Sequence, residues 1–239
     1  MKIIGIIPAR FASSRFPGKP LVDLKGKSMI QRVYEGAKKS TKLSRVIVAT
    51  DDQRIVDEVL SFGGEVMMTS EKHTTGTDRC GEVAETVQAD VIVNIQGDEP
   101  LVDYRQLDQL CSAFEDRHVA ISTLGIGKVS HEDRQNPNRI KIVLDKDNNA
   151  LYFSRSDVPN TANLSGDTEV FYRHIGLYAY RSEILKELVR LQPTVLEKME
   201  SLEQLRWLYY GYKIRVVETT IETPNIDAPE DIAKVLELL

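Results

Sequence analysis

KIIGIIPARFASSRFPGKP (residues 2–20) holds two kinds of chain side by side. Lys2–Ile7 is a short Ile-rich run without polar alternation, the pattern of a strand buried on both faces. From Pro8 onward, Pro17, Gly18 and Pro20 keep the chain out of regular structure. Loops of this length inside compact domains usually carry function. This one leaves the carboxyl end of a strand, where open α/β sheets bind ligands. It gathers Arg10, Arg15 and Lys19, with Ser13 and Ser14 as further donors and the backbone N–H groups near Gly18. At an effective dielectric of about 20, a cation ~4 Å from a phosphate oxygen contributes about 4 kcal/mol of attraction before desolvation. Three such groups suit a triphosphate; the plainer reading is a solvated basic loop. The segment is neither a G-x-x-x-x-G-K-[ST] loop nor a G-x-G-x-x-G fingerprint, which argues against a P-loop kinase and a dinucleotide dehydrogenase.

Outward from this stretch, strand and helix alternate. Ser28–Lys39 places Met29, Ile30, Val33 and Ala37 at helical spacing. Arg45–Ala49 reads as a second buried strand. Thr50 and Gln53 resemble a capping box before a helix to about Phe62, which Gly63-Gly64 stops. Glu65–Met68 is a third strand, Thr69–Gly76 a loop, Thr77–Val87 a helix and Asp90–Ile95 a further buried strand. The expected class is α/β with a mixed, mainly parallel sheet flanked by helices. From about residue 117 strands predominate, at 120–124, 140–144, 150–153, 175–180 and 214–217, with helices at 183–191, 201–210 and 229–239. Residues 143–150 read as a hairpin turn and 156–173 as a polar excursion. With no linker or repeat, one domain over 1–239 is expected, with a protruding hairpin region at about 140–180.

Of 239 residues, 31 are basic and 36 acidic, for a net charge of -5. Residues 1–45 carry eleven Lys/Arg against Asp23 and Glu35, and the rest of the chain is acidic. An acidic whole speaks against a nucleic-acid or membrane-surface binder, while a basic first fifth leaves room for a small polyanion. Cys80 and Cys111 form neither a disulfide framework nor a metal spacing. No apolar run reaches the ~20 residues of a membrane span, and the expected location is the cytoplasm.

Two acids stand apart. Asp98 lies in Gln96-Gly-Asp-Glu-Pro100, just past a strand end, and Asp227 lies in Asn225-Ile-Asp-Ala-Pro229, before a helix. By position alone Asp98 is a turn residue or a ligand, and Asp227 a helix cap or a ligand. Carboxylates beside a triphosphate would repel it unless a divalent cation such as Mg²⁺ bridges them.

Residues 7–21, IPARFASSRFPGKPL, resemble the signature loop of the sugar-acid cytidylyltransferases, and most closely that of the 3-deoxy-manno-octulosonate (Kdo) family, the CMP-Kdo synthetases. The resemblance implies a nucleotide-diphospho-sugar transferase-like fold. It also implies condensation of CTP with a sugar acid, with release of pyrophosphate, for lipopolysaccharide biosynthesis. Gln96-Gly-Asp-Glu-Pro100 and Asp227-Ala-Pro-Glu-Asp231 are similar to the family's metal-binding acids, so Mg²⁺ on Asp98 and Asp227 is implied. His73-Thr-Thr-Gly-Thr-Asp-Arg79 is similar to its H-x-S-G-T-D-R segment, with Thr75 in place of Ser and Thr77 available as a cap. The implied CTP residues are Pro8, Ala9, Arg10, Arg15, Lys19, Thr75, Gly76, Arg79, Gln96 and Asp98, with Lys19, Arg10, Asp98 and Asp227 catalytic. For the sugar acid they are Gln96, Arg155, Tyr178, His174, Glu203 and Gln204.

Read on their own, Arg155 and Arg173 are candidates for a bidentate carboxylate clamp, His174 is as readily structural, and residues 200–206 read as a solvated helix face. Where relatives follow F-S-R with a small-Pro-Ile-Pro pattern, this chain has Ser156-Asp-Val-Pro-Asn160. The extra acid Asp157 leaves an amino analogue, 8-amino-Kdo, beside Kdo itself as substrate. A sialic-acid-type cytidylyltransferase is a further alternative, although Pro20 stands where that group usually has Asn. A homodimer joined through the hairpin region is implied, with neither nucleic acid nor membrane as partner.

Overall fold

The computed structural model describes residues 1–12, 16–160, 162–163, 171–226 and 228–239. In chain order the elements are β1 (Ile3–Ala9), α1 (Met29–Ala37), β2 (Arg45–Thr50), α2 (Gln53–Ser61), β3 (Val66–Met68), α3 (Gly76–Thr86), β4 (Val91–Asn94), α4 (Tyr104–Ser112), β5 (Ile121–Ile126), α5 (His131–Gln135), β6 (Lys141–Leu144), β7 (Ala150–Ser154), β8 (Tyr172–Arg181), α6 (Ser182–Leu188), α7 (Val195–Glu200), α8 (Gln204–Tyr209), β9 (Ile214–Glu218) and α9 (Asp231–Leu238). The chain divides into two compact units. One comprises residues 1–108, 180–189 and 222–239; the other comprises 109–179 and 190–221.

In the first unit the strand order is β3-β2-β1-β4, all parallel. Ile4, Ile6, Ile7, Val46–Ala49 and Val91–Val93 are buried, as strands covered on both faces require. The chain steps from β1 to β2 to β3 in one direction, then returns to lay β4 on the other side of β1. The direction therefore reverses between β1 and β4, which is where open α/β sheets form their ligand crevice. β1 pairs with β4 only through Ile6↔Asn94, but with β2 through Ala9↔Thr50. Beyond Ile6 one edge of β1 is open, so Pro8 can extend the strand without costing a ladder hydrogen bond.

Helix starts differ from expectation in a consistent way. Thr50 stays in β2 and does not cap α2; Asp52 does, its carboxylate accepting from the Arg54 N–H at 3.0 Å. Thr75, not Thr77, caps α3 in a reciprocal box with Asp78. α4, α5 and α7 form in segments to which the sequence reading assigned no element, and α8 starts at Gln204 because Ser201, with φ +52°, ends α7.

In the second unit β5 and β9 pair in parallel from Ile121↔Ile214 to Gly125↔Glu218. β6 pairs antiparallel with both β7 and β8. The expected hairpin is β6–β7. Asp145 closes it, its carboxylate accepting from the N–H groups of Asp147 and Asn149 at 2.8 and 2.7 Å, with Asn148 left-handed at φ +59°. Much of the 156–173 excursion, at Thr161 and 164–170, lies outside the described residues.

Candidate active site

The first unit carries a cleft of about 230 Å³ at the carboxyl ends of β1 and β4. β1 contributes Pro8 and Ala9, with Arg10 just beyond. Past β4 come Gln96, Gly97 and Asp98. Gly97 lies flat on the end of β1: a Cβ there would sit 2.8 Å from the Pro8 carbonyl oxygen, so the close approach demands glycine. The third wall is the start of α3, with Thr75, Gly76 and Arg79. Every expected CTP residue except Arg15 therefore borders one cleft; Arg15, with Ser13 and Ser14, lies outside the described residues.

Charge in the cleft is organised around Lys19. Its ammonium donates to Asp98 Oδ2 at 2.9 Å and to the Ile226 carbonyl at 2.8 Å. The Ile226 N–H donates in turn to the Asp98 carbonyl at 2.9 Å. Asp227, the next residue, lies outside the described residues. Glu99, buried beside Asp98, behaves differently. Loss of solvent and then the Asp98 charge push its pKa up to about 8, while the Thr223 hydroxyl donates to it at 3.2 Å. At neutral pH Glu99 is thus uncharged, and the contact with Lys19 is made by Asp98 alone of the two adjacent acids.

Arg79 borders the cleft, yet its guanidinium is committed elsewhere. It is only 3% exposed, pairs with Asp51 at 2.5 Å and donates to Thr69 Oγ1 at 2.5 Å. Its work here is to pin the first turn of α3 to the ends of β2 and β3. His73 contacts the Glu82 carboxylate, which also accepts from the Ser70 N–H at 2.9 Å, and this fixes the loop leading into α3. Glu82 is held below the usual carboxylate range, chiefly by that backbone donor.

The second unit gathers a cluster of another character. His174 and Tyr178 share a face of β8, with ring centres 5.2 Å apart. Phe153 lies edge-on to His174, and Trp207 edge-on to Tyr178. His174 Nε2 is 2.9 Å from Thr123 Oγ1. Burial, with the neighbouring Arg173 charge, pushes the imidazole pKa down to about 3, so it is neutral. Burial likewise raises the Tyr178 phenol. Glu203 and Gln204 open α8, and the Glu203 charge acts on Tyr178. Gln204 is 5% exposed, and its Nε2 finds no hydrogen-bond partner among the described residues. A buried amide donor without a partner costs about 1–3 kcal/mol, a penalty that a bound acceptor relieves.

Arg155 is not an open clamp. Nε donates to the Glu200 carbonyl at 2.7 Å, and the two terminal nitrogens donate to the carbonyls of Pro137 at 3.0 Å and Ser201 at 3.4 Å. The Glu200 carboxylate, expected on a solvated face, accepts from Ser154 Oγ and the Arg155 N–H at 2.7 and 2.9 Å. Arg155 thus staples the end of α7 to the turn before β6. Arg173 is buried, 3.9 Å from Asp133. Asp157 is matched as well. Arg134 grips it with two hydrogen bonds of 3.0 and 2.9 Å, and Gln135 adds a third at 3.0 Å.

Thr123, Glu99 and Lys141 did not stand out in the sequence. Lys141 is fully buried, donating to the carbonyls of Arg155 at 2.6 Å and Asn136 at 3.1 Å, and burial lowers its pKa. The one local sign was a lysine opening the apolar run Lys141–Leu144.

A sequence profile of the cytidylyltransferase family matches residues 4–214. The 3-deoxy-manno-octulosonate cytidylyltransferase of Parabacteroides distasonis is 51% identical over 249 residues, spanning 100% of this chain and 98% of its own. That of Syntrophobacter fumaroxidans is 48% identical over 243 residues, with 100% and 97% covered. Among solved structures, CMP:2-keto-3-deoxy-manno-octonic acid synthetase in complex with CTP superposes with a TM-score of 0.95 at 40% identity, covering 100% of this chain and 98% of that one. With likeness of this extent in both sequence and fold, the chain belongs to the 3-deoxy-manno-octulosonate cytidylyltransferase family.

Proposed function

We propose that this protein condenses CTP with 3-deoxy-manno-octulosonate to give CMP-Kdo and pyrophosphate. The anomeric hydroxyl of the sugar acid gives up its proton to solvent, and its oxygen forms a bond to the α-phosphorus of CTP. The bond from that phosphorus to the bridging oxygen breaks, and pyrophosphate leaves with the electron pair. Charge builds on phosphate oxygens, so the protein's task is positioning and electrostatic stabilisation. The observation that carries this reading is the Lys19 ammonium at the switch-point cleft, beside Arg10 and the start of α3. Arg10 and Lys19 meet the triphosphate, and the N–H end of α3 offers further positive potential.

Magnesium fits the donor set. Asp98 Oδ2 and the Ile226 carbonyl oxygen already share one cation, the Lys19 ammonium, and hard oxygen donors are what Mg²⁺ takes. Asp227 is the second carboxylate of this proposal. Bound there, the ion would draw charge from the phosphate oxygens and lower the pKa of the attacking hydroxyl.

The second unit's His174, Tyr178, Glu203 and Gln204 are assigned to the sugar acid. A neutral imidazole, a phenol and an unpartnered amide donor suit hydroxyl groups. Asp157 is held by Arg134 and Gln135 and is not free to meet an amino group, which favours plain Kdo. Pyrophosphate release with CTP, Mg²⁺ and each of Kdo, 8-amino-Kdo and a sialic acid tests this; turnover confined to either of the latter two overturns it.

The second unit also exposes Leu151, Val195, Met199 and Tyr209 on β7, α7 and α8, and Tyr210 just past α8. We assign this apolar set, with the β6–β7 hairpin, to a homodimer interface. Sedimentation of the wild type as a dimer and of Met199→Asp as a monomer is the expected result. No helix among the described residues is long and apolar enough to cross a membrane. We propose the cytoplasm as the site of the reaction.

A further inference from the structure

We propose that Arg54 and Phe11 are positioning residues for the nucleotide cations, acting through a stack that ends on Gly18. The inference rests on the reading of the first unit's cleft as the CTP site. Phe11 and Gly18 are joined across the base of the opening loop, the Gly18 N–H donating to the Phe11 carbonyl at 2.9 Å. Gly18 adopts φ +73°, and a Cβ there would lie 3.2 Å from two carbons of the Phe11 ring. The ring thus occupies the space beside Gly18 that a β-carbon would crowd. The Arg54 guanidinium carbon lies 3.3 Å from the ring centroid.

Arg54 is itself held. It donates to Asp52 through Nε at 2.9 Å and Nη2 at 2.6 Å, and Asp52 caps the start of α2. The order of contact runs from α2 through Asp52, Arg54 and Phe11 to Gly18. The loop's two members of this stack are each one residue from a cleft cation, Phe11 from Arg10 and Gly18 from Lys19. Gly18 also begins the 3₁₀ turn Lys19–Leu21, whose Leu21 N–H donates to the Gly18 carbonyl at 2.9 Å. The Phe11 ring therefore sits where the backbone leading to Arg10 and the backbone leading to Lys19 meet. A fixed ring keeps the Arg10 and Lys19 backbones at one spacing before nucleotide arrives, so less ordering is left to binding. Arg54 touches no reacting atom; its effect passes through Phe11.

Steady-state pyrophosphate release, varying CTP at saturating sugar acid and then the reverse, tests the proposal on Arg54→Ala, Arg54→Lys, Phe11→Leu and Phe11→Tyr. Loss of an exposed cation–π contact corresponds to a rise of roughly 2–5-fold in KM for CTP in Arg54→Ala and Phe11→Leu. KM for the sugar acid and Tm should stay at wild-type values. Phe11→Tyr, which keeps the ring, and Arg54→Lys, which keeps the charge, should recover most of the loss. An unchanged KM for CTP, or equal losses for both substrates, overturns the positioning role. Lys19→Ala separates the two levels of the argument. If it loses turnover while Arg54→Ala is silent, only the stack is wrong; if it keeps wild-type turnover, the CTP-site reading itself fails.

Discussion

On the assignments proposed above, the nucleotide cleft and the aromatic cluster of the second unit solve recognition in opposite ways. The cleft is built from chain leaving regular structure: the ends of β1 and β4, the loop before Lys19 and the start of α3. Its principal side chains are charged, partly exposed and exchangeable between partners. Lys19 and Asp98 are 16% and 28% exposed, so either can leave the other for a phosphate or a metal ion. The cluster sits within strands and at the start of α8. Its histidine is neutral, its tyrosine buried and its glutamine donor without a partner among the described residues. A polyanion is gathered by charge that water still reaches; the hydroxyl groups of a sugar are recognised by fixed hydrogen-bonding groups from which water is removed.

The sharpest break of that contrast is in the cleft. Asp98→Asn and Lys19→Ala should each lower turnover about 10²–10³-fold, the scale of losing a group that stabilises developing charge. A folded Asp98→Asn protein with near-wild-type rate in Mg²⁺ removes the metal assignment.

The cluster should respond through sugar-acid affinity instead. Gln204→Leu and His174→Gln should raise KM for the sugar acid by roughly tenfold, a loss of about 1.4 kcal/mol, with KM for CTP unmoved. A rise in both Michaelis constants would erase the division between the two regions.

A smaller effect concerns stability, measured without metal. Folded Glu99 keeps its proton to about pH 8, whereas in the unfolded chain it titrates near 4.5. Between those values the folded state binds more protons, so stability contributed by this group falls as pH rises through the window. Glu99→Gln should raise Tm above pH 8 by a few degrees and leave it unchanged near pH 4. Equal Tm values at both pH values contradict the buried, protonated assignment.

Least is expected of Asp157→Asn. Its pair with Arg134 is partly exposed and worth at most about 1 kcal/mol. Preference between Kdo and 8-amino-Kdo should hardly shift; a strong shift would return Asp157 to the sugar site.

Legibility followed the range of the interaction. Buried strands at 3–9, 45–50 and 91–94 were readable because local hydrophobic pattern and strand burial are one fact. The cations of the opening loop and Asp98 were readable because each sits beside a strand end that the same pattern locates. Polar helices such as α5 and α7 were missed, since their apolar spacing is too weak to separate them from loops.

From the order of residues alone came an α/β chain with a basic loop at one strand end and acids at another, because hydrophobic periodicity and backbone restrictions act over a few residues. What only the tertiary structure decided was which polar groups remain available. Arg155, Arg79 and Asp157 looked like free charges, but their partners lie 9 to 46 residues away along the chain. A side chain's charge is written in its identity; whether its donors are already taken depends on which distant carbonyls and carboxylates folding brings within hydrogen-bond reach.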